Sequence, residues 1–284
     1  MTLLSLEAGS LGVDLAPSLG GAIARFAVAD VDLLRPLSAG ATASASAAYP
    51  LVPYSNRIAN GVLVVDGTTW RLAPNWPGSN HPMHGEGWSR PWRVAAQAPR
   101  SATLVQDYAG AAGESPGGWP FRYRARQAFQ LDEGGLRVEM AIENLEDRAV
   151  PAGLGLHPFF VRDPDTTLAF RAAAVWLGDR DILPVERVPV PAEWRHDDPR
   201  VAVTSLDNCF DGWDGRATIA WPRRGWRLEL RASEPFRHAV VYTPPGRDYF
   251  CVEPVSHANG RIADTRLAAG ATLSGTIDFR LSLS

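Results

Sequence analysis

VLVVDGTTWRL, residues 62–72, holds two short strand-like runs on either side of Asp66-Gly67. An Asp-Gly pair supplies the positive φ angles of a two-residue hairpin turn, so the stretch predicts two antiparallel strands. FRYRARQAFQL (121–131) and LRVEMAIEN (136–144), separated by residues 132–135, predict a second hairpin with charged residues on one face and apolar residues on the other. WRLELRA (226–232), HAVVYT (238–243), YFCVE (249–253) and ATLSGTIDFRLSLS (271–284) continue the period-two pattern to the C-terminus.

No stretch keeps a 3.6-residue apolar period for three turns, and 26 glycines and 23 prolines interrupt most helix candidates. The expectation is an all-β chain with few short helices. ILPVERVPVPAEWRHDDPR (182–200) reads as a long surface connection, but strand-like runs of similar composition flank it, so residues 1–284 are taken as a single domain. No repeat at a propeller or solenoid period is visible.

Composition narrows the function classes. Hydrophobic residues make up 45% and charged residues 21% of 284, enough to close a sizeable core, which excludes disordered and collagen-like chains. A net charge of −3 with no basic tract argues against a nucleic-acid partner. The N-terminal run MTLLSLEAGSLGVDLAPSLGG has no basic leader, and Ser5, Glu7 and Asp14 interrupt it, so neither a signal peptide nor a membrane partner is expected. The expected location is the cytoplasm. Cys209 and Cys251 lack CxxC spacing and read as buried free thiols.

Five stretches depart from alternation and concentrate polar groups: YPLVPYSNRIANG (49–61), NHPMHGEGW (80–88), GLGLHPFF (153–160), LDNCFDGWDG (206–215) and YFCVEPVSHANG (249–260). Together they supply an arginine, histidines, acidic groups and aromatic rings, the parts needed to hold a polar small molecule and move protons. Each residue also has a plainer reading. His157 fits a hydrogen-bonded core histidine with Pro158 ending its strand, Glu253 a strand-end ion pair, and Arg57 a loop anchor bound to backbone carbonyls. Asp211 and Asp214 suit turns around Gly212 and Gly215, and Asp207 does so less well.

The combination SNRI, HPMHGEGW, LGLHPFF, DNCF and VEP, in this order, resembles the aldose 1-epimerase (galactose mutarotase-like) family. The resemblance implies a large antiparallel β-sandwich of the galactose mutarotase-like type and a cofactor-free interconversion of the α and β anomers of a free sugar. Glu253 matches the family's base and His157 its acid. His84 and Arg57 match groups that contact sugar oxygens, and Asp207 matches an acceptor of sugar hydroxyls. Asn56, Trp88 and Trp213 lie inside the motifs and join them as candidate sugar contacts. Departures after His84 and after Glu253 leave the identity of the sugar open. The implied partner is a small aldose, the implied assembly a monomer or homodimer, and no metal is expected.

The proposed pair suits the chemistry, because a carboxylate and an imidazolium both titrate within reach of neutral pH. Tyr249, Cys251 and Glu253 share one face of their strand by alternation, which sets Cys251 beside Glu253 as packing. With Arg57 the only clear cation in these stretches and Glu86, Asp207 and Glu253 negative, a neutral aldose is expected rather than a phosphosugar. Three other readings compete. His81, His84 and Glu86 could hold a metal in a cupin-like barrel. A carbohydrate-binding domain would need stacking rings but no acid and base. A glycoside hydrolase would use Asp207 and Glu253 as its carboxylate pair.

Overall fold

The structure, a computed structural model, describes residues 1–113, 116–202 and 205–283; Ser284, the last residue of the C-terminal alternating run, lies outside them. It is a large antiparallel β-sandwich, in which an 11-stranded sheet faces a 9-stranded sheet and a separate two-stranded hairpin stands apart. Helical structure among the described residues is confined to three-residue 3-10 turns such as Ala43–Ala45 and Ile262–Asp264.

Turn chemistry sets the hairpins. Asp66 (φ 49°) and Gly67 (φ 77°) both take the left-handed conformation, pairing Val65 with Thr68. This hairpin, the clearest in the sequence, forms the two-stranded sheet rather than part of the sandwich. The second hairpin, Tyr123–Asp132 against Gly135–Asn144, keeps register from Tyr123↔Asn144 to Asp132↔Gly135 and turns through two residues, 133–134. Its alternation is physical: Tyr123, Ala125, Phe129 and Leu131 are buried, while Arg124, Gln130 and Asp132 are exposed.

The core lies between the sheets. Phe26 of one sheet meets Phe279 of the other at 6.1 Å between ring centroids, and Phe210 meets Phe170 at 5.0 Å. Removing such rings from water supplies the main driving force for closing the two layers.

Two expectations need correction. Residues 182–200 are not a plain connection: Pro184–Pro189 pairs with Ala174–Gly178 at one end of the 11-stranded sheet, and His196–Val201 pairs with Thr167–Phe170 at one end of the 9-stranded sheet. The prolines are tolerated because an edge strand has outward positions that need no ladder donor. Nor does Pro158 end its strand, which runs from Gly155 to Val161. Between this strand and Tyr249–Val255 the register goes from Gly155↔Val255 directly to Phe159↔Cys251. Pro158 and Pro254 lack an N–H to offer there, so the ladder is interrupted beside the polar groups described next.

Candidate active site

Strands Gly155–Val161 and Tyr249–Val255 are buried on both faces, and alternation divides their side chains. Leu156, Phe160, Phe250 and Val252 enter the core between the sheets. Phe159, Cys251 and Val255 pack on the opposite face with Tyr49, Trp88 and Cys209. Cross-strand register arranges this outer face in two neighbouring rows. One runs Tyr49, His157, Glu253, Val240, Cys209, and the other runs Phe159, Cys251, Tyr242, Asp207.

A cavity of about 340 Å³ opens over these rows, lined by Arg57, His84, His157, Asp207 and Glu253 together with Asn56. That volume falls in the range of small-molecule sites. At its floor His157 Nε2 lies 3.2 Å from Glu253 Oε1, with the two residues only 7% and 2% exposed. The His157 ring packs against Tyr49 (4.7 Å, 28°) and Phe159 (4.4 Å, 18°), which themselves lie 6.0 Å apart, so aromatic contacts restrict its orientation. Burial drives its pKa well below the ordinary 6.5, helped by His84 and Arg35. Burial drives the Glu253 carboxyl well above 4.5, helped by Asp207 and opposed by Arg57. Both directions favour the uncharged form of the pair, a protonated carboxyl beside a neutral imidazole.

The loops carrying Asn56 and His84 are tied to each other. Asn56 (φ 58°) and His84 (φ 63°) both occupy the left-handed region, which is rare for residues with a side chain and concentrates at functional sites. The His84 N–H donates to Asn56 O at 2.9 Å, and the Asn56 N–H donates to His84 Nδ1 at 3.1 Å. Nδ1 therefore carries no hydrogen and Nε2 does. Burial, then Arg57, lowers the His84 pKa to about 3, so this ring is a fixed neutral donor.

Arg57 lines the cavity with Nη1 donating to Asn56 Oδ1 at 3.3 Å, a side-chain partner rather than a backbone carbonyl. Asp207 begins strand Asp207–Asp211, opposite Tyr242. Burial raises its pKa and Arg57 lowers it. Asp211 and Asp214 instead accept the turn N–H groups of Gly212 and Arg216 at 2.7 and 3.0 Å.

The two tryptophans singled out from the motifs do not line the cavity. Trp213 packs in the main core, its indole N–H donating to Arg216 O at 2.8 Å. Trp88 sits behind the site, 5.9 Å from Tyr49 and 5.4 Å from Trp76, and Trp76 lines the cavity in its place. Nor do His81, His84 and Glu86 converge. His81 Nδ1 accepts from Asn60 N–H, His84 Nδ1 from Asn56 N–H, and Glu86 Oε1 from Trp119 N–H.

Sequence reasoning also missed Arg35, a second cation at the cavity. Its Nη2 donates to Ser44 O and Ser46 O at 3.0 Å each, and its plane lies 3.8 Å from the Phe159 centroid and 4.6 Å from that of Tyr249. Arg35 belongs to none of the five motifs, so no local signal marked it. Tyr49 and Tyr249 lie inside two of them, and both line the cavity, Tyr249 on the face of Glu253 as alternation predicts.

His257 answers to the core-histidine reading first considered for His157. Its Nε2 accepts from Ser55 N–H at 3.1 Å and its Nδ1–H donates to Ala258 O at 2.9 Å. Gly153 makes room for it, since a Cβ there would lie 2.4 Å from His257 Cδ2. The first glycine of GLGLHPFF is thereby explained.

Residues 2–280 match the family model described as aldose 1-epimerase. The uncharacterised Escherichia coli (strain K12) protein YphB is 29% identical over 278 residues, covering 91% of this chain and 89% of its own. The crystal structure of an aldose 1-epimerase candidate from Escherichia coli K12 superposes with a TM-score of 0.92 at 28% identity, covering 100% of this chain and 99% of that one. A galactose mutarotase-like protein from Clostridium acetobutylicum has the same fold, with a TM-score of 0.85 at 17% identity over 99% of this chain and 95% of that one.

Proposed function

The chain belongs to the aldose 1-epimerase family, and on that footing we propose that it interconverts the α and β anomers of a free neutral aldose by acid/base ring opening and closure. The observation that carries this reading is the buried 3.2 Å contact between His157 and Glu253 at the floor of a cavity whose other polar groups suit a sugar. In this reading residues 1–284 act as one domain, because the site needs strands and loops from residue 49 to residue 253.

The one-proton pair supplies what the reaction needs. Passing its proton from Glu253 to His157 gives a carboxylate and an imidazolium, and Arg57 beside Glu253 favours that charged form. Glu253 then removes the proton from the C1 hydroxyl while His157 gives one to the ring oxygen. The C1–O5 bond breaks, an aldehyde forms at C1, and rotation about C1–C2 presents its other face. Closure returns both protons to their donors, so no net proton is consumed.

His84 Nε2–H and the Arg57 guanidinium donate to sugar oxygens, and Asp207 accepts from hydroxyls of the ring. Asn56 holds Arg57 through Oδ1 and offers its amide hydrogens to the sugar. A neutral substrate fits because, among the described residues, the cavity has two cations, Arg57 and Arg35, and Arg35 spends its Nη2 on two backbone carbonyls and lies against two aromatic faces. A dianionic phosphate would need two or three available cations.

The test is a panel of freshly dissolved single-anomer sugars, including glucose, galactose, arabinose and fucose, followed by polarimetry or NMR exchange. At least one neutral aldose should equilibrate faster with the protein than without it. Spontaneous rates for every sugar would defeat the proposal, and faster exchange of glucose 6-phosphate than of every neutral aldose would defeat the neutral preference.

A further inference from the structure

Cys251 has no part in the proton transfer, yet its position is closely tied to the pair. It is two residues from Glu253 on the same face of one strand, and it lies opposite Phe159, two residues from His157, on the next. The imidazole nitrogen, the thiol sulfur and the carboxylate oxygen all fall within 4.8 Å of one another, and each of the three residues is buried. We propose that His157, Cys251 and Glu253 form a binding site for a thiophilic divalent cation of the zinc and cadmium class, whose occupancy blocks anomer exchange.

Geometry favours it. A tetrahedral zinc ion with bonds of about 2.0–2.1 Å to nitrogen and oxygen separates those two donors by about 3.3 Å. His157 Nε2 and Glu253 Oε1 are already 3.2 Å apart. The sulfur edges of the same tetrahedron are about 3.5 Å, so the thiol closes the remaining gap by side-chain rotation. His157 and Glu253 line the cavity, which gives the ion a route in, while Cys251 lies beneath them. The fourth position points into the cavity, toward water or a sugar hydroxyl.

Charge favours it as well. Binding ejects the thiol proton and the single proton of the His157–Glu253 pair, leaving a thiolate, a carboxylate, a neutral imidazole and a dication. The sum is zero, the condition under which charges are tolerated in a buried site. Burial and the neighbouring Glu253 push the free thiol well above its ordinary value of 9.0, so the metal rather than ambient base must displace that proton. The mixed sulfur, nitrogen and oxygen donors select against magnesium and calcium, which take oxygen ligands.

The blocking effect rests on the catalytic reading, whereas binding does not. The chain has two cysteines, so in Cys209→Ser protein Cys251 is the only thiol. Titrating untagged Cys209→Ser with cadmium chloride should raise a sulfur-to-cadmium charge-transfer absorbance that saturates at one equivalent and ignores excess magnesium chloride. If that variant does not fold, the same band should appear in wild type and vanish in Cys251→Ser. No band in either format overturns the site. Cys251→Ser should exchange anomers at the wild-type rate but need about 10–100 times more zinc chloride for half inhibition. Equal zinc sensitivity in the two proteins overturns the role of Cys251. A band in a protein that exchanges no anomer refutes the catalytic reading alone.

Discussion

Charge is handled in opposite ways on the 9-stranded sheet and beneath the cavity of the 11-stranded sheet. On the 9-stranded sheet Arg124, Arg137, Arg231 and Arg280 pair with Asp107, Asp278, Glu229 and Asp132 at 2.5–2.9 Å, with the arginine side chains 39–54% exposed. On the 11-stranded sheet Glu253 and His157 lie under a cavity wall, nearly free of solvent, and their ionisations move in opposite directions. The strands obey the same alternation in both places. What differs is water: exposed pairs are solvated and screened, so each contributes little, while desolvation shifts buried groups toward their uncharged forms. Burial of titratable groups, rather than their number, sets the proposed site apart.

That contrast is broken most severely at the pair itself. His157→Asn should lower the rate of anomer exchange by about 10²–10⁴, the usual contribution of one positioned acid or base. The double variant with Glu253→Gln should lose less than the product of the two single losses, because neither partner completes the transfer alone. Exchange kinetics on folded variants check this, and fully multiplicative losses would mean that the two groups act independently.

Asp207 sharpens the comparison next. Asp207→Asn keeps the shape and removes a charged acceptor, at a cost of about 1–3 kcal/mol, mostly as a higher KM. Wild-type exchange should follow a bell-shaped pH profile, since activity needs the one-proton state of the pair. A second proton ends it on the acid side, and loss of the only proton ends it on the alkaline side. His157 is lowered, so the acid limb lies below 6.5; Glu253 is raised, so the alkaline limb lies above 4.5. Because Asp207 is one cause of the raised Glu253, Asp207→Asn should move the alkaline limb toward acid. An unmoved limb with unchanged KM would leave Asp207 a structural role only.

The smallest effect belongs to the other sheet. Arg137 bonds both oxygens of Asp278, at 2.7 and 3.2 Å, yet its side chain is half exposed. Arg137→Ala should change stability by less than about 1 kcal/mol and leave exchange untouched. A large drop in the thermal midpoint would show that this face is not the solvated surface described above.

The same contrast explains what was legible in the sequence. Alternation and the Asp66-Gly67 turn carry the strand class because they are local. The motif residues Arg57, His84, His157, Asp207 and Glu253 could be named one by one; cross-strand register brings His157, Glu253 and Asp207 together, and the two tied loops bring Arg57 and His84 to the same cavity. Arg35 could not, because its place depends on how its loop crosses Phe159 and Tyr249. Trp213 misled because a tryptophan in a loop carries no period, so nothing local separates a sugar platform from a core ring. Residues 182–200 misled because proline density suggests a loop, while edge strands absorb prolines without losing their pairing.

The central claim is that the buried Glu253–His157 pair moves the protons of anomer exchange. NMR exchange between the anomers of the best sugar, measured for wild type and folded Glu253→Gln with spontaneous mutarotation subtracted, tests it most directly. The account predicts clear acceleration by wild type and a loss of about 10²–10⁴ in Glu253→Gln. Near-wild-type exchange in the variant would contradict it and assign the base to another residue.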